Sequence, residues 1–579
     1  MKKAAHSISL GEMEAWGFTL LLIPFFSLLL ATATFILGGA IGAWMFPTAI
    51  VASLTIGHRI VTQNCRQQHT TTRYLVASTL LLFLSLLTST IFYDYSYDGN
   101  TYHQEAIFYM MQGWNPFHTP DMPSSPWERH YAKALEIVAS TIAICFNRIE
   151  CGKAVNLLLI LSSILITASF LRSEFPQKKR LKIAILTSLI TLCPTVILQA
   201  NIYYNDYPLY TFMLLVVIAL IKIYRNSKDL PAWIILIATT LFAAVTKFTV
   251  GFYVYLTLAI GIIWIFIIGK RSLSYALATI SILLIIVGFG ILGYHPYVTN
   301  TLGWGNPFYP LIGSNVDIMT SNTPELYLEG NRFGNLLRSL FYNVAGSDVW
   351  IPFITDSLHD YYIIYDVRIA GFGPFFVYCM IAAMMVWGCH VYKEKNNNTL
   401  NPHRTATYGT IVLLLIAGCF IFEQSWWMRY VPFLWVVPIL LLLYTEYNDR
   451  LSRWQRTVRN ACYALLLLTQ ALCCGATFIG SSSYTMRLGA IYHAISPQST
   501  VELYNIMGSQ SFNFKLQQRG IDFTALSENQ PSDSTMVCLQ FKNKANIYLD
   551  AQTASRIRRP DLLDFVQSVR ETTTNKTHD

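Results

Sequence analysis

Two aspartates stand four residues apart just beyond the third long apolar run of the chain. Asp94 and Asp98 are followed closely by Tyr102 and His103. A carboxylate can take a proton from an incoming hydroxyl group, and a neighbouring side chain can orient that hydroxyl. Partial desolvation against lipid raises a carboxyl pKa towards the range of a working base. The pattern predicts a group-transfer site with Asp98, Asp94 and His103 as catalytic residues; the competing interpretation is that both aspartates are solvated residues that end a helix.

The residues that follow have a helical pattern. A helix over residues 102–112 would carry Tyr102, Glu105 and Tyr109 on one face. Such a helix lies on the membrane and turns the loop back towards the apolar runs. We therefore expect Tyr102 and Glu105 to contact a substrate.

Single cations border apolar runs at three other places. Lys133 precedes an apolar stretch, Lys247 stands between two such stretches, and Arg429 is followed by Tyr430 in an aromatic segment. A lone cation at membrane depth is costly enough to suggest a function, and cations near the headgroup plane suit phosphate binding. We expect these four residues to bind substrate, while snorkelling at the interface is the competing interpretation.

Two further polar segments lie between apolar runs. Asp206 belongs to a short turn, residues 199–208, that also holds amides and tyrosines. Asn306 lies in residues 294–310, which are rich in Trp, Tyr, Asn and Gly. Such residues suit a surface that stacks on sugar rings and bonds their hydroxyls, although interfacial aromatics also serve as membrane anchors. We include Asp206 and Asn306 among the predicted binding residues.

The elements that position these residues are apolar helices. The chain is 53% apolar and only 13% charged over 579 residues, which exceeds the apolar content of soluble domains. About 20 apolar residues cross a bilayer as a helix. We predict an all-α polytopic membrane protein with about thirteen spans, near residues 14–36, 38–57, 74–92, 153–171, 182–199, 207–222, 231–247, 249–269, 274–294, 371–391, 407–423, 430–446 and 460–480.

Basic residues lie in alternate gaps between the predicted spans. They group in residues 59–73, 172–182, 222–228, 270–271, 393–404 and 450–459. Lys and Arg in short loops are retained in the cytoplasm, so we predict a multi-pass inner (plasma) membrane protein with a cytoplasmic N-terminus. The long loops 93–152 and 295–370 and the C-terminal tail then lie outside. The topology signal accounts for most of the net charge of +9, so no nucleic-acid partner is expected.

Two domains are predicted. Residues 1–480 form the transmembrane domain, and residues 481–579 form a small α/β outer domain with a strand near 536–540.

Cys145 and Cys151 lie on the outer side and could pair in an oxidising compartment. No metal-ligand spacing and no nucleotide-binding glycine loop occurs, so neither a metal nor another cofactor is predicted.

The order of these motifs over residues 74–450 resembles the GT-C superfamily of polytopic glycosyltransferases, closest to its bacterial PMT and ArnT-like members. The resemblance rests on Tyr97-Asp98 with Tyr102-His103, Gly113-Trp-Asn-Pro116, His130-Tyr-Ala-Lys133, Asn306-Pro307-Phe-Tyr309-Pro310 and Trp427-Met-Arg429-Tyr430-Val-Pro432.

The resemblance implies a GT-C-like fold and a sugar donor carried on polyprenyl phosphate or pyrophosphate. It implies that an acid of the first outer loop is the general base, with Asp98 as the best match and Asp94 as the rival. Lys247, Arg429 and Lys133 would stabilise charge on the departing phosphate. The acceptor would be a glycan, lipid or protein of the cell envelope, and membrane lipids would surround the spans.

Two other classes compete. A polysaccharide polymerase of the Wzy kind or an O-antigen ligase also has many spans and a large outer loop, but relies on paired outer arginines. A secondary transporter would show inverted repeats with spans broken by Gly or Pro at matching positions. The sequence shows no such symmetry, and outer arginines are few.

Overall fold

The fold is known from a computed structural model that is mostly helical. It describes residues 10–64, 68–121, 125–311, 323–341, 366, 371–447, 451–506, 510–541 and 545–557. The first thirteen α-helices are α1 (Leu10–Ile36), α2 (Met45–Asn64), α3 (Gln68–Ile91), α4 (Gln104–Met111), α5 (Pro126–His130), α6 (Ala134–Phe146), α7 (Ala154–Glu174), α8 (Arg180–Thr191), α9 (Pro194–Gln199), α10 (Tyr207–Arg225), α11 (Leu230–Ala244), α12 (Phe248–Ile267) and α13 (Arg271–Ile285).

Shorter helices and a small sheet follow in the second half. They are α14 (Thr299–Trp304), α15 (Glu325–Leu328), α16 (Arg332–Phe341), α17 (Phe376–Asn396), α18 (Pro402–Gly418), α19 (Val436–Tyr444), α20 (Arg453–Ala494), β1 (Val501–Asn505), α21 (Ser511–Gln518), β2 (Thr524–Leu526), β3 (Val537–Phe541), β4 (Ala545–Leu549) and α22 (Ala551–Ser555). Irregular helical turns join several of them, at Gly99–His103, Ile149–Lys153, Ile286–Leu292, Tyr294–Val298, Pro432–Trp435 and Thr445–Tyr447.

Local sequence signals start several of these helices. Ser452 accepts a hydrogen bond from the backbone of Gln455, and the Gln455 side chain bonds back to Ser452, which forms a capping box at the start of α20. Asp229 caps α11 by accepting from Ala232 N at 3.0 Å. These caps satisfy amide groups that have no partner within the helix.

Eight helical stretches among the described residues are long and apolar enough to cross a membrane. Each coincides with a predicted span: Gly11–Ile36, Thr71–Ile91, Ile149–Glu174, Tyr207–Arg225, Phe248–Ile267, Arg271–Leu292, Phe376–Asn396 and Arg453–Ala494. The prediction of a helical membrane protein with a small sheet is therefore confirmed at this coarse level.

The full set of about thirteen spans is not confirmed. The predicted span 182–199 is divided into α8 and α9. Pro194 lacks the N–H that would continue the helical hydrogen bonding of α8, and it restricts the conformation of the residue before it. Predicted spans 231–247 and 430–446 correspond to shorter apolar helices, Leu230–Ala244 and Pro432–Tyr447.

One large apolar core runs through the helical bundle. Helix α1 packs against α2 and α7, α10 packs against α11 and α12, and α17 packs against α19 and α20. Several buried polar groups inside this core are paired with each other or with backbone carbonyls. The Thr19 and Tyr74 hydroxyls are 2.6 Å apart, and Trp435 Nε1 donates to Leu189 O at 2.8 Å. Such pairing is needed where no water competes.

Helix α6 lies inside the bundle, where we had expected a helix on or dipping into the membrane. Its residues from Ala134 to Ala143 are all buried, and it packs against α1 and α7. The helix ends at Asn147, which adopts a left-handed conformation with φ +46°. Cys145 and Cys151 near this end are both free thiols.

The C-terminal unit contains a four-stranded sheet in the order β2-β1-β4-β3. Strands β1 and β2 are parallel, whereas β4 pairs antiparallel with both β1 and β3. The strand predicted near residues 536–540 is present as β3. Helix α20 continues through residue 480, the predicted domain boundary, and ends at Ala494, so the sheet begins well beyond that boundary.

Candidate active site

A buried arginine is the centre of the outer polar cluster. Arg429 Nη1 lies 3.5 Å from Asp98 Oδ2, 3.5 Å from Asp206 Oδ2 and 3.3 Å from Asp366 Oδ1. The guanidinium carbon also lies 4.1 Å from the centre of the Trp427 ring. Burial lowers the pKa of Arg429, but the carboxylates outweigh burial and raise it, so the side chain stays charged.

Lys247 is the second cation of this cluster. It forms an ion pair with Asp206, and its Nζ lies 5.1 Å from the centre of the Tyr430 ring. Gln199 also donates to Asp206 at 3.2 Å. Burial would raise the pKa of Asp206, but Lys247 and Arg429 together lower it. Asp206 is therefore a fixed negative charge that holds both cations in place.

Helix geometry explains why Asp206 and Lys247 meet. Asp206 stands immediately before α10 and Lys247 immediately before α12, and these two helices pack side by side. A carboxylate at a helix N-terminus is favoured by the helix dipole. Asp206 of the polar turn and the lone Lys247 thus form an ion pair, and Arg429 and Tyr430 lie beside it.

Asp98 is the most accessible acid of the cluster. Its side chain is 21% exposed, against 3% for Asp206 and 14% for Asp366. It directly precedes the helical turn Gly99–His103. Asp98 is thus the carboxylate of this group that a hydroxyl from outside the bundle can reach.

Asp94 has a different environment, and the prediction that it is a catalytic rival of Asp98 is corrected. Its side chain is fully buried. The carboxylate accepts from Ser96 N at 2.7 Å, from Ser96 Oγ at 2.6 Å and from Tyr203 N at 2.8 Å. A Cβ at Gly99 would lie only 2.1 Å from Asp94 Oδ2. Asp94 therefore shapes the loop and has no access to a substrate.

His103 and Glu105 also have structural partners. His103 Nδ1 and Glu136 Oε1 are 2.5 Å apart, and both side chains are buried. Glu105 Oε2 accepts from Gln510 N at 3.0 Å, next to the start of α21. The predicted substrate contact of Glu105 is replaced by this contact with the C-terminal unit.

Lys133 does not join Arg429 and Lys247 as the sequence analysis expected. Its Nζ donates to Tyr131 O at 2.6 Å and lies 3.3 Å from His295 Nε2. Burial lowers the pKa of Lys133 to about 7, although Glu136 and Glu128 oppose this shift. With two carboxyl groups beside it, Lys133 is poorly suited to bind phosphate.

A small cavity with room for about one water molecule lies beside Lys133. Burial raises the pKa of Glu128 to about 10, and the charge of nearby Glu105 and a hydrogen bond to it add to the shift. The Oε2 atom of Glu136 is buried and has no hydrogen-bond partner among the described residues. The cavity therefore places a neutral carboxyl group beside a water-sized space. Its lining is Tyr102, His103, Ala106, Trp127, Glu128, Tyr131, Ala132, Lys133, Glu136 and Asn205.

Asn306 lies in the loop after α14. Its side-chain oxygen accepts from Phe308 N at 2.9 Å, which fixes a turn there. Nearby, Trp304 and Tyr309 stack with ring centres 4.2 Å apart. Asn306 thus shapes an aromatic loop.

Sequence reasoning missed several members of these groups. Asp366 lies in the long second loop within an apolar and aromatic stretch, residues 361–370, and an acid in such a stretch was a signal that the sequence analysis did not use. Glu128 lies a few residues before an apolar stretch, which was a usable sign of burial. Glu136 is likewise an acid within an apolar stretch, which is costly unless paired.

Among the described residues, no group of three or more His, Cys, Asp and Glu side chains is arranged to hold a metal ion. Searches of family models, curated proteins and solved structures found no match to this chain.

The protonation of Glu128 can be measured directly. Its raised pKa predicts a protonated carboxyl group at pH 7 that ionises only as the pH approaches about 10. Infrared spectra of the purified protein should show the corresponding carboxylic-acid absorption, and Glu128→Gln should remove it. Asp121→Asn, which changes an exposed acid of the same loop, should leave it in place. An unchanged band in Glu128→Gln would contradict the assignment.

The pair of Lys247 and Asp206 should couple in stability. Lys247→Met leaves a buried carboxylate without its nearest cation, and breaking a buried pair costs about 3–5 kcal/mol. We expect a clear fall in the thermal unfolding midpoint in detergent, and Lys247→Met/Asp206→Asn should recover part of it. The exposed Lys228→Met is the matched control. Additive effects of the two changes would show that the residues do not interact.

Proposed function

We propose that this chain is a membrane glycosyltransferase of the GT-C kind. It would transfer a sugar from a polyprenyl phosphate or pyrophosphate carrier to a hydroxyl group of a cell-envelope acceptor. The observation that carries the proposal is the accessible carboxylate of Asp98 beside the buried cation Arg429. A base and a phosphate-binding cation at one place are what this transfer requires.

The proposed reaction uses these groups in one step. Asp98 takes the proton of the acceptor hydroxyl, whose oxygen forms a bond with the anomeric carbon of the sugar. The bond between that carbon and the carrier phosphate breaks, and the phosphate leaves with the electron pair. Arg429 and Lys247 stabilise the negative charge that develops on the leaving oxygen.

The charges of the cluster support this division of labour. Asp98, Asp206 and Asp366 face two cations, Arg429 and Lys247. Asp206 is buried and contacts both cations, whereas Asp98 contacts Arg429 and is the most exposed of the three acids. Asp98 is therefore the acid best placed to receive the acceptor proton.

Arg429 also retains capacity for an anion. A guanidinium group has five N–H donors, and the contacts to the three aspartates all involve Nη1. Its Nε atom is buried and has no hydrogen-bond partner. A phosphate oxygen would satisfy this donor, which explains why the residue tolerates an unpaired polar atom there.

The proposed orientation places this site outside the cytoplasm, in the inner (plasma) membrane. Helix α20 begins beside a basic cluster, in which Lys182 and Arg459 contact Glu446 at 2.7 and 3.2 Å. Its other end leads into the C-terminal unit, whose helix α21 contacts the Asp98 loop. Basic groups are retained in the cytoplasm, so the N-terminus would be cytoplasmic and the C-terminal tail extracytoplasmic.

The base assignment is tested with Asp98→Asn. We expect at least a hundredfold loss of sugar transfer, in line with the typical effect of a general base, with normal membrane insertion and a normal unfolding midpoint. Purified protein would be incubated with a panel of polyprenyl-linked sugars, and consumption of one of them would be measured. Asp121→Asn is the matched control in the same loop.

Two results would count against the proposal. Full activity of Asp98→Asn would remove the base, and export of a solute by vesicles that contain no lipid-linked sugar would indicate a transporter. Chain elongation of a lipid-linked glycan would instead favour a polymerase.

The orientation is tested by thiol labelling in intact cells. Cys538 is exposed on β3 of the C-terminal unit, so a membrane-impermeant maleimide should label it from outside. Cys538→Ser should lose this labelling. Asn397→Cys on that background lies in the loop between α17 and α18 and should react only after the membrane is opened. The reverse pattern would place the Asp98 cluster in the cytoplasm and overturn the proposed topology.

A further inference from the structure

The C-terminal unit contacts the turn that presents Asp98. Helix α21 packs against α4 and against the turn Gly99–His103. Ser511 Oγ donates to Thr101 O at 2.9 Å. The Phe514 ring lies 5.0 Å from the Phe108 ring and 5.4 Å from the Tyr109 ring. Polar and apolar contacts thus fix this helix on the loop.

Both ends of α21 are tied to the bundle. At its start, Gln510 N donates to Glu105 Oε2 at 3.0 Å. At its end, Gln518 Nε2 donates to Asn147 O at 2.9 Å. The two ends of α21 are therefore bonded to Glu105 and Asn147, which are about 40 residues apart in the sequence. Two such contacts restrict how α21 can move against the Asp98 turn.

Lys515 makes the central contact. Its side chain is only 4% exposed, and Nζ donates to Asn100 Oδ1 at 2.5 Å. Asn100 Nδ2 in turn donates to Asp94 O and Ser96 O, both at 2.7 Å. Lys515 therefore completes a chain of hydrogen bonds that fixes the backbone on both sides of Asp98.

Burying the charged Lys515 side chain costs free energy, so this position favours lysine only if its ammonium group has polar partners. A buried ammonium group is unfavourable unless charged or polar partners surround it. Burial lowers the pKa of Lys515 to about 8, while Glu150 and Asp94 oppose the shift. The side chain thus remains mostly charged at neutral pH. An apolar residue of similar length would fill the space without this cost, but it could not bind Asn100.

We propose that Lys515 is a positioning residue that holds the Asp98 turn in its reactive geometry through Asn100. The inference rests on the proposed function, because it assigns Asp98 as the base. Lys515 itself touches no reacting atom. Its effect is to keep Asp98 within reach of Arg429, and the C-terminal unit is thereby part of the active site.

The first test measures the turn itself, without any substrate. Hydrogen exchange of the amides of residues 96–103 would be followed in the full-length protein in nanodiscs. Lys515→Met should speed exchange by at least tenfold, and Lys515→Arg should stay near wild type. Gln517→Met, on the exposed face of the same helix, is the matched control. Unchanged exchange in Lys515→Met would overturn the proposal. Lys515→Leu, which also lacks a donor, replaces Lys515→Met if that variant does not fold.

The second test measures catalysis. With the lipid-linked sugar that the wild type consumes, Lys515→Met should lower kcat at least tenfold while KM and the unfolding midpoint change little. Lys515→Arg should restore most of kcat. A wild-type kcat in Lys515→Met would overturn the positioning role. Faster exchange in Lys515→Met together with no transfer by the wild type would instead contradict the proposed function and leave the contact between α21 and the turn established.

Discussion

Desolvation of Arg429 is the constraint on which this site depends. A buried guanidinium group requires partners, because the cost of removing it from water is several kcal/mol. Its three carboxylate partners come from the loop after α3, from the residue before α10 and from residue 366. One cation therefore joins segments far apart in the chain, and Lys247 forms an ion pair with Asp206 from the start of α12. The packing of these segments and the charge of the site are therefore coupled.

Environment, not residue type, separates the two aspartates of the first loop. Asp94 has its acceptor positions filled by backbone and side-chain donors and is sealed from solvent. Asp98, four residues later, lies 3.5 Å from Arg429 and has a partly exposed side chain. A fully satisfied carboxylate stabilises one conformation, whereas a partly exposed one can be approached by another molecule. The rigidity of the first is what makes the position of the second reproducible.

The sequence predicted eight spans in which apolar residues run without interruption for the thickness of a bilayer, and these are confirmed as long apolar helices. Other predicted spans correspond to shorter helices, as where Pro194 separates α8 from α9. The sequence also identified Asp98, Asp206, Lys247 and Arg429 individually, since a charge next to an apolar run is costly and therefore informative. Their meeting could not be predicted, because it depends on how α10 and α12 pack. Periodicity predicts the face on which Glu105 lies but not what covers that face, which is why its partner in the C-terminal unit was missed. Asp366 lies in an apolar and aromatic stretch, a signal that the sequence analysis did not use.

The contact between α21 and the Asp98 turn joins residues that are 410 positions apart in the chain. At a synthesis rate of about 5–20 residues per second, the ribosome would reach Ser511 roughly 20–80 s after it had made Thr101. During that interval the turn would lack the side chains that cover it. The turn would therefore reach its final geometry only after nearly the whole chain had been synthesised.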